Sequence, residues 1–240
     1  MRTTIKWNKS TLYLGLAVIV VLAAIFLSLF RYFKKAPEDV IVNDVVSKGA
    51  VAQSYSVLSS PRLKDDDKFF GPEEALLKIF VFEDYTSSYS ASLADTLDRI
   101  KAELGDKVAV VVRPFSSNSL EALEAARAVF CAGQEGKWKE MRALLFIRAK
   151  NKQLITDDWS PYIGQLKLAE NNFLSCLTNQ KKSGTIEQLL GEAKNYGVQG
   201  APTIFISDEL VVGARPYDDY VDSNGDKIEG LKSLVIRKLF

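Results

Sequence analysis

The strongest constraint in this sequence is an uncharged, largely apolar segment near the N-terminus, Thr11–Phe30. Twenty helical residues at ~1.5 Å each span roughly 30 Å, the thickness of the hydrocarbon core of a bilayer. A cleaved signal peptide is the alternative, but the apolar run is long and no small-x-small cleavage site follows it. We therefore expect residues 11–31 to form a transmembrane anchor that follows a short N-terminal stretch, residues 1–10.

The overall composition excludes several classes of function. The chain has 240 residues, a net charge of +1, two cysteines and no histidine. The balanced charge gives no electrostatic reason to expect nucleic acid as a partner. Without histidine, Ser-His-Asp and Cys-His catalysis are impossible, and two cysteines cannot form a tetrahedral Cys/His zinc site. We expect no metal ion, no cofactor and no nucleic acid.

After the anchor, residues 32–70 are predicted to be a linker or docking segment, and residues 71–240 a folded domain. Short apolar runs predict buried strands at 76–82 and 108–112, with a helix from Ser87 between them. Helical spacing dominates from 120 to 196. Strands at 203–207 and 210–212 follow, with Asp208-Glu209 as the turn, and an amphipathic helix ends the chain. This order predicts an α/β fold.

Two motifs and the order of elements resemble the DsbA-like branch of the thioredoxin superfamily. The segment 82–90, FEDYTSSYS, resembles the family's strand-to-helix junction that carries Cys-x-x-Cys. The segment 197–206, GVQGAPTIFI, is similar to the family's loop with a cis proline, and 131–138 resembles its helical insertion. The resemblance covers roughly residues 70–240. It implies a thioredoxin-like fold with a helical insertion at about 115–195, and thiol-disulfide oxidoreductase activity.

The resemblance also implies a location, because members of this family usually work outside the cytoplasm. We therefore expect the N-terminus to be cytoplasmic and residues 36–240 to lie on the outer side of a plasma or inner membrane.

Serine replaces both redox cysteines of the motif, at Ser87 and Ser90. In active relatives the first cysteine is a thiolate stabilised by a helix N-terminus, and the second resolves the mixed disulfide. A hydroxyl group cannot form a disulfide, so this motif cannot exchange thiols. Capping of the helix N-terminus by Ser87 or Ser88 is the simpler role for these side chains. The sequence leaves open whether the serines are native or engineered replacements.

The proline loop offers a function that needs no thiol. In active relatives the backbone beside the cis proline pairs with an extended substrate peptide, as strand addition. The resemblance therefore implies a peptide-binding groove, or a proline kept only for its turn. The expected contact residues are Tyr85, Ser87, Tyr89, Ala201 and Pro202. The expected partner is an extended peptide or a protein of the cell envelope.

Cys131 and Cys176 leave three interpretations open. An even number of cysteines outside the cytoplasm favours a structural disulfide, while two buried free thiols or a displaced redox pair are the alternatives.

Taken together, the anchor, the serines of the motif and the proline loop lead to one hypothesis, a membrane-anchored, redox-inactive binding or scaffold module. The competing hypothesis is a thiol-disulfide oxidoreductase that uses Cys131 and Cys176, or one studied with serine at positions 87 and 90.

Overall fold

The computed structural model describes residues 60–116 and 119–240. The N-terminal stretch 1–10, the anchor expected at 11–31 and all but the end of the expected linker 32–70 lie outside the described residues. Among the residues that are described, no helix combines the length and the apolar character needed to cross a bilayer.

A five-stranded mixed sheet forms the centre of the described chain. Its strands are β1 (Lys68–Phe70), β2 (Leu77–Glu83), β3 (Val108–Pro114), β4 (Thr203–Ile206) and β5 (Glu209–Val212). Their order across the sheet is β1-β3-β2-β4-β5. Strands β2 and β3 are parallel, whereas the β1–β3, β2–β4 and β4–β5 pairs are antiparallel. A two-stranded ribbon, β6 (Tyr220–Val221) with β7 (Lys227–Ile228), lies apart from this sheet.

Seven α-helices accompany the strands in the described ranges. The helix α1 (Ser88–Leu104) connects β2 to β3 through a short 3-10 turn at Gly105–Lys107. Five helices form the insertion between β3 and β4, and a last one follows the ribbon. They are α2 (Leu120–Gly133), α3 (Trp138–Lys150), α4 (Ser160–Leu166), α5 (Glu170–Ser183), α6 (Thr185–Asn195) and α7 (Leu231–Leu239).

Alternating side chains of the central strands divide the core into two layers. In β2, Ile79 and Val81 pack into the larger layer with helices α1 to α7, whereas Phe80 and Phe82 face the smaller layer. This follows from the two-residue period of a strand, in which neighbouring side chains point to opposite faces. Both faces are covered, which explains why β2 and β3 are nearly continuous apolar runs.

The observed order of elements and the sheet topology confirm a thioredoxin-like α/β fold with a helical insertion. Two details differ from the sequence-based boundaries. The β4–β5 turn is Ser207–Asp208 rather than Asp208-Glu209, because Ser207 takes the left-handed backbone conformation (φ 56°) and Glu209 already pairs with Ile206. The segment assigned to the linker also ends in a strand, since Lys68–Phe70 pairs with β3.

Candidate functional site

The first turn of helix α1 carries the two serines of the motif. Ser87 is the N-cap residue, with extended backbone angles, and its hydroxyl oxygen accepts a hydrogen bond from the Ser90 N–H at 3.3 Å. The N-terminal N–H groups of a helix lack partners within the helix, and a serine at the N-cap satisfies one of them. The structure thus assigns the capping role expected of Ser87 or Ser88 to Ser87.

Ser90 has a different structural role. Its side chain is 0% exposed, and its hydroxyl oxygen accepts a hydrogen bond from the Asp84 N–H at 3.2 Å. The Asp84 carboxylate in turn accepts hydrogen bonds from the Thr86 N–H and hydroxyl, at 2.8 Å and 2.6 Å. These bonds connect the residues of the turn between β2 and α1 to one another. In the contacts of the described residues, the hydroxyls of Ser87 and Ser90 are bonded to backbone N–H groups, and no titratable base is hydrogen-bonded to either.

The proline loop meets this turn across the sheet. The Ala201–Pro202 peptide bond is cis, and Thr203, the first residue of β4, pairs with Phe82 near the end of β2. Because these strands are antiparallel, the residues before Thr203 lie beside the residues that lead from β2 into α1. The Thr203 hydroxyl donates to the Gly200 carbonyl at 2.7 Å, which closes the loop on itself.

Ala201 has an available backbone next to the cis bond. It lies outside β4 and is partly exposed, whereas Pro202 is buried. Among the contacts of the described residues, neither the N–H nor the carbonyl of Ala201 makes a hydrogen bond. The carbonyl of Pro202, by contrast, accepts a hydrogen bond from the Gly213 N–H at 2.8 Å. A free backbone donor and acceptor therefore lie beside the cis bond.

The two tyrosines of the motif lie in different environments. Tyr89 is 71% exposed, next to the exposed Ser88. Tyr85 is 4% exposed, and its ring packs against Phe146 with 5.8 Å between ring centroids. Burial, reinforced by the charge of Glu83, raises the pKa of the Tyr85 hydroxyl. The structure therefore places Tyr89 on the surface beside the α1 N-terminus, and Tyr85 in the larger core layer.

A buried ion pair at the end of β2 was not predicted from the sequence. Glu83 is 0% exposed, and both its oxygens accept hydrogen bonds from Arg142 of helix α3, at 2.7 Å from Nε and 2.5 Å from Nη2. Burial opposes the charge of Arg142, but Glu83 outweighs that effect, and the pKa of Arg142 is raised. An acidic residue in a buried strand requires such a partner. That requirement was the available signal, but it does not identify a residue 59 positions away.

Cys131 and Cys176 form a disulfide that connects helices α2 and α5, with 5.7 Å between their Cα atoms. This confirms the first of the three interpretations. Cys131 is 1% exposed, and no free cysteine remains in the chain. Within the described ranges, no group of histidine, cysteine and acidic side chains has the arrangement of a metal site.

Comparison with known proteins identifies the family to which this chain belongs. A family model described as Thioredoxin matches residues 64–222. A curated relative, the Na(+)/H(+) antiporter NhaA of Herminiimonas arsenicoxydans, is 25% identical over 160 residues, which are 66% of this chain. The chain spans about a quarter of the length of that relative (25%).

Solved structures share the fold. A periplasmic thioredoxin-like protein from Salmonella enterica serovar Typhimurium superposes with a TM-score of 0.52 at 23% identity, covering 72% of this chain and 90% of that one. The alpha-DsbA1 protein of Wolbachia pipientis gives 0.54 at 19% identity, covering 74% and 92%. A thioredoxin-like oxidoreductase from Silicibacter pomeroyi DSS-3 gives 0.53 at 19%, covering 62% and 85%. The chain therefore belongs to the thioredoxin family, and its described part has the fold of DsbA-like proteins.

Proposed function

We propose that this protein is a membrane-anchored, extracytoplasmic member of the family that binds an extended peptide or a segment of an envelope protein and does not exchange thiols. The observation that carries the proposal is the use of both motif serines in local hydrogen bonds, Ser87 as the helix cap and Ser90 as the buried partner of Asp84. Residues 11–31 would supply the anchor.

The chemistry of the cysteines supports a role without redox turnover. Thiol–disulfide exchange requires a thiolate to attack one sulfur of a disulfide, so at least one sulfur must be accessible to a partner. Cys131 is 1% exposed and Cys176 is partly exposed, and the disulfide joins two helices of the insertion, α2 and α5. Neither cysteine lies at the N-terminus of its helix, where a thiolate would be stabilised, so the geometry favours a structural disulfide over an oxidoreductase that uses Cys131 and Cys176.

The proline loop supports peptide binding. An added strand gains affinity from main-chain hydrogen bonds, and Ala201 offers a free N–H and carbonyl at a partly exposed position. Tyr89 supplies an exposed aromatic surface at the neighbouring helix start. We expect Ala201 and Tyr89 to contact the peptide directly. Ser87 and Pro202 would shape the groove from beneath, whereas Tyr85 is buried in the larger core layer.

The binding test uses the full chain in lipid nanodiscs and reduced, carboxymethylated lactalbumin as a permanently unfolded probe. Ala201→Glu and Tyr89→Ala should each weaken binding by about tenfold, because each removes a direct contact or blocks the backbone approach. Val212→Glu is the matched control, since Val212 is 66% exposed on the edge strand β5. Binding that is equally strong in all four proteins would exclude the groove as the binding site.

A further inference from the structure

A groove of about 730 Å³, here named the insertion groove, lies between helices α2 and α5 and the segment 154–159 that leads from α3 to α4. Leu174, Leu177 and Lys181 line it from α5, and their spacing of three and four residues places them on one face of that helix. Its apolar lining consists of Leu120, Leu154, Ile155, Trp159, Leu174 and Leu177.

Three of the apolar side chains that line the insertion groove are exposed to solvent. Leu120 is 69% exposed, and Ile155 and Leu174 are each 41% exposed, whereas Trp159 and Leu177 are buried. In the described ranges nine large apolar side chains are exposed, so three of the nine converge on this one groove. Exposed apolar surface that is gathered in one place and bordered by polar residues marks a site of interaction with another molecule.

The polar lining of the insertion groove carries more negative than positive charge. Its positively charged residue, Lys181, is engaged with Glu124, since Lys181 Nζ lies 3.1 Å from Glu124 Oε2. Glu124 is also paired with Arg127 within helix α2, at 2.6 Å. Lys181 therefore has a partner already and leaves little positive charge for an acidic ligand.

The two other acidic residues of the lining, Glu121 and Asp157, are exposed. Among the contacts of the described residues, neither carboxylate has an ion pair or a hydrogen bond. The remaining polar residues of the lining, Thr156 and Thr178, are uncharged. Two free carboxylates beside an apolar surface complement a ligand that carries lysine or arginine next to apolar side chains. The same charges disfavour an anionic membrane surface as the occupant.

The elements around the insertion groove favour a helical ligand. Its walls are helices, so the groove presents no sheet edge at which an extended peptide could add a strand. An amphipathic helix satisfies its own backbone hydrogen bonds and inserts apolar side chains at positions i, i+3, i+4 and i+7 into a groove of this kind.

From these features we propose that the insertion groove docks a basic amphipathic helix of a protein partner. The apolar face of that helix contacts Leu120, Ile155 and Leu174, and its lysine or arginine side chains pair with Glu121 and Asp157. None of the residues that line the groove belongs to the contacts proposed for the extended peptide. The proposal therefore goes beyond the proline loop and does not depend on it.

Trp159 reports on the occupancy of the insertion groove. The chain contains three tryptophans. Trp159 lines the groove, whereas Trp138 begins helix α3 and packs against Phe70. Fluorine NMR of the full chain, labelled with fluorotryptophan in nanodiscs of zwitterionic lipid, observes these residues separately. Trp138→Phe and Trp159→Phe assign the signals.

The probes are two synthetic amphipathic helices with the same leucine stripe, one with lysine and the other with glutamate at the polar positions beside the stripe. Equilibrium dialysis with empty nanodiscs as the reference gives their free concentrations, because both also bind lipid. The lysine helix should shift the Trp159 signal saturably and leave Trp138 unchanged.

The glutamate helix should bind about tenfold more weakly at low salt, because Glu121 and Asp157 attract one probe and repel the other. The difference should shrink at high salt, since charges exposed to solvent are screened. No saturable shift of Trp159, or equal affinity for the two probes at low salt, would overturn the proposal.

Variants at exposed positions test the two kinds of contact. Glu121→Lys/Asp157→Lys should reverse the preference, so that the glutamate helix binds more tightly than the lysine helix. Leu174→Glu should abolish the Trp159 shift, and Ile147→Glu is its matched control, because Ile147 is an exposed apolar residue of helix α3 that does not line the groove. Full binding by Leu174→Glu would overturn the proposal. A chain that binds neither probe and self-associates only while Leu174 is unchanged would assign the groove to a second copy instead.

Discussion

Glu83 and Arg142 form a bidentate ion pair, buried from solvent, that joins the end of strand β2 to helix α3. The pair anchors the turn that leads into the candidate site, because Glu83 immediately precedes Asp84. Removing one partner of such a pair leaves an uncompensated charge in the core.

Arg142→Met should therefore lower the free energy of unfolding by about 3–5 kcal/mol. Replacing both partners, as Glu83→Leu with Arg142→Met, should recover most of that loss, since two apolar side chains need no counter-charge. Urea unfolding of the detergent-solubilised chain measures both variants. A single variant as stable as the unchanged protein, or a double variant no better than the single one, would contradict this account of the pair.

Ser87 and Ser88 are adjacent serines with different roles at the start of helix α1. Ser87→Ala should cost about 1 kcal/mol, because the Ser90 N–H loses its acceptor. Ser88→Ala is the matched control and should cost little, since Ser88 is exposed and is already inside the helix. Thermal unfolding compares the two. Equal losses for both variants would mean that Ser87 does not act as the cap.

The Cys131–Cys176 disulfide closes a loop with a sequence separation of 45 residues. Constraining the unfolded chain in this way is worth about 4 kcal/mol in the chain-entropy model. The double variant Cys131→Ala/Cys176→Ala should therefore unfold more readily by about that amount, with unchanged peptide binding. Thiol titration of the denatured, unreduced protein provides a direct check. Two titratable thiols would show that the bond is absent.

Asp219 gives a prediction for the dependence of stability on pH. Its carboxylate accepts a hydrogen bond from the Gly230 N–H at 2.8 Å, at the N-terminus of helix α7, and this bond lowers the pKa of Asp219. A carboxyl group whose pKa is lowered by folding stabilises the folded state at pH values above its unfolded pKa of about 3.9. This stabilisation is lost as the pH falls through the folded pKa.

The advantage of the native protein over Asp219→Asn should thus shrink as the pH is lowered from about 5 towards 2. Unfolding curves at several pH values measure that difference. A difference in the free energy of unfolding between the native protein and Asp219→Asn that stays constant over this pH range would show that folding does not lower the pKa of Asp219.

The sequence was informative where local physics decides the structure. The apolar runs predicted strands β2 and β3, and the serines before a helical pattern predicted the cap. Contacts between distant residues could not be predicted. Lys68–Phe70 becomes a strand only because β3 offers an edge to pair with. Tyr85, expected to line a surface groove, packs instead beside Phe146 of the insertion.

The same limit applies to the candidate site. The motif identified Ser87, Ser90 and the Pro202 loop, and the structure brings the two segments together through the pairing of Phe82 with Thr203. The motif could not identify the partner of Glu83 or the insertion groove. Both depend on how the helices of the insertion pack against the sheet and against one another, and that packing is set by many side chains together rather than by any one motif.

The most direct test of the account is the reduction of insulin by dithiothreitol, measured with the full chain in nanodiscs. We predict no turnover above the uncatalysed rate, and turnover in Ser87→Cys/Ser90→Cys, because the helix N-terminus would stabilise the introduced thiolate. Turnover by the unchanged protein that disappears with Cys131→Ala would contradict the claim that its disulfide is structural and its motif redox-inactive.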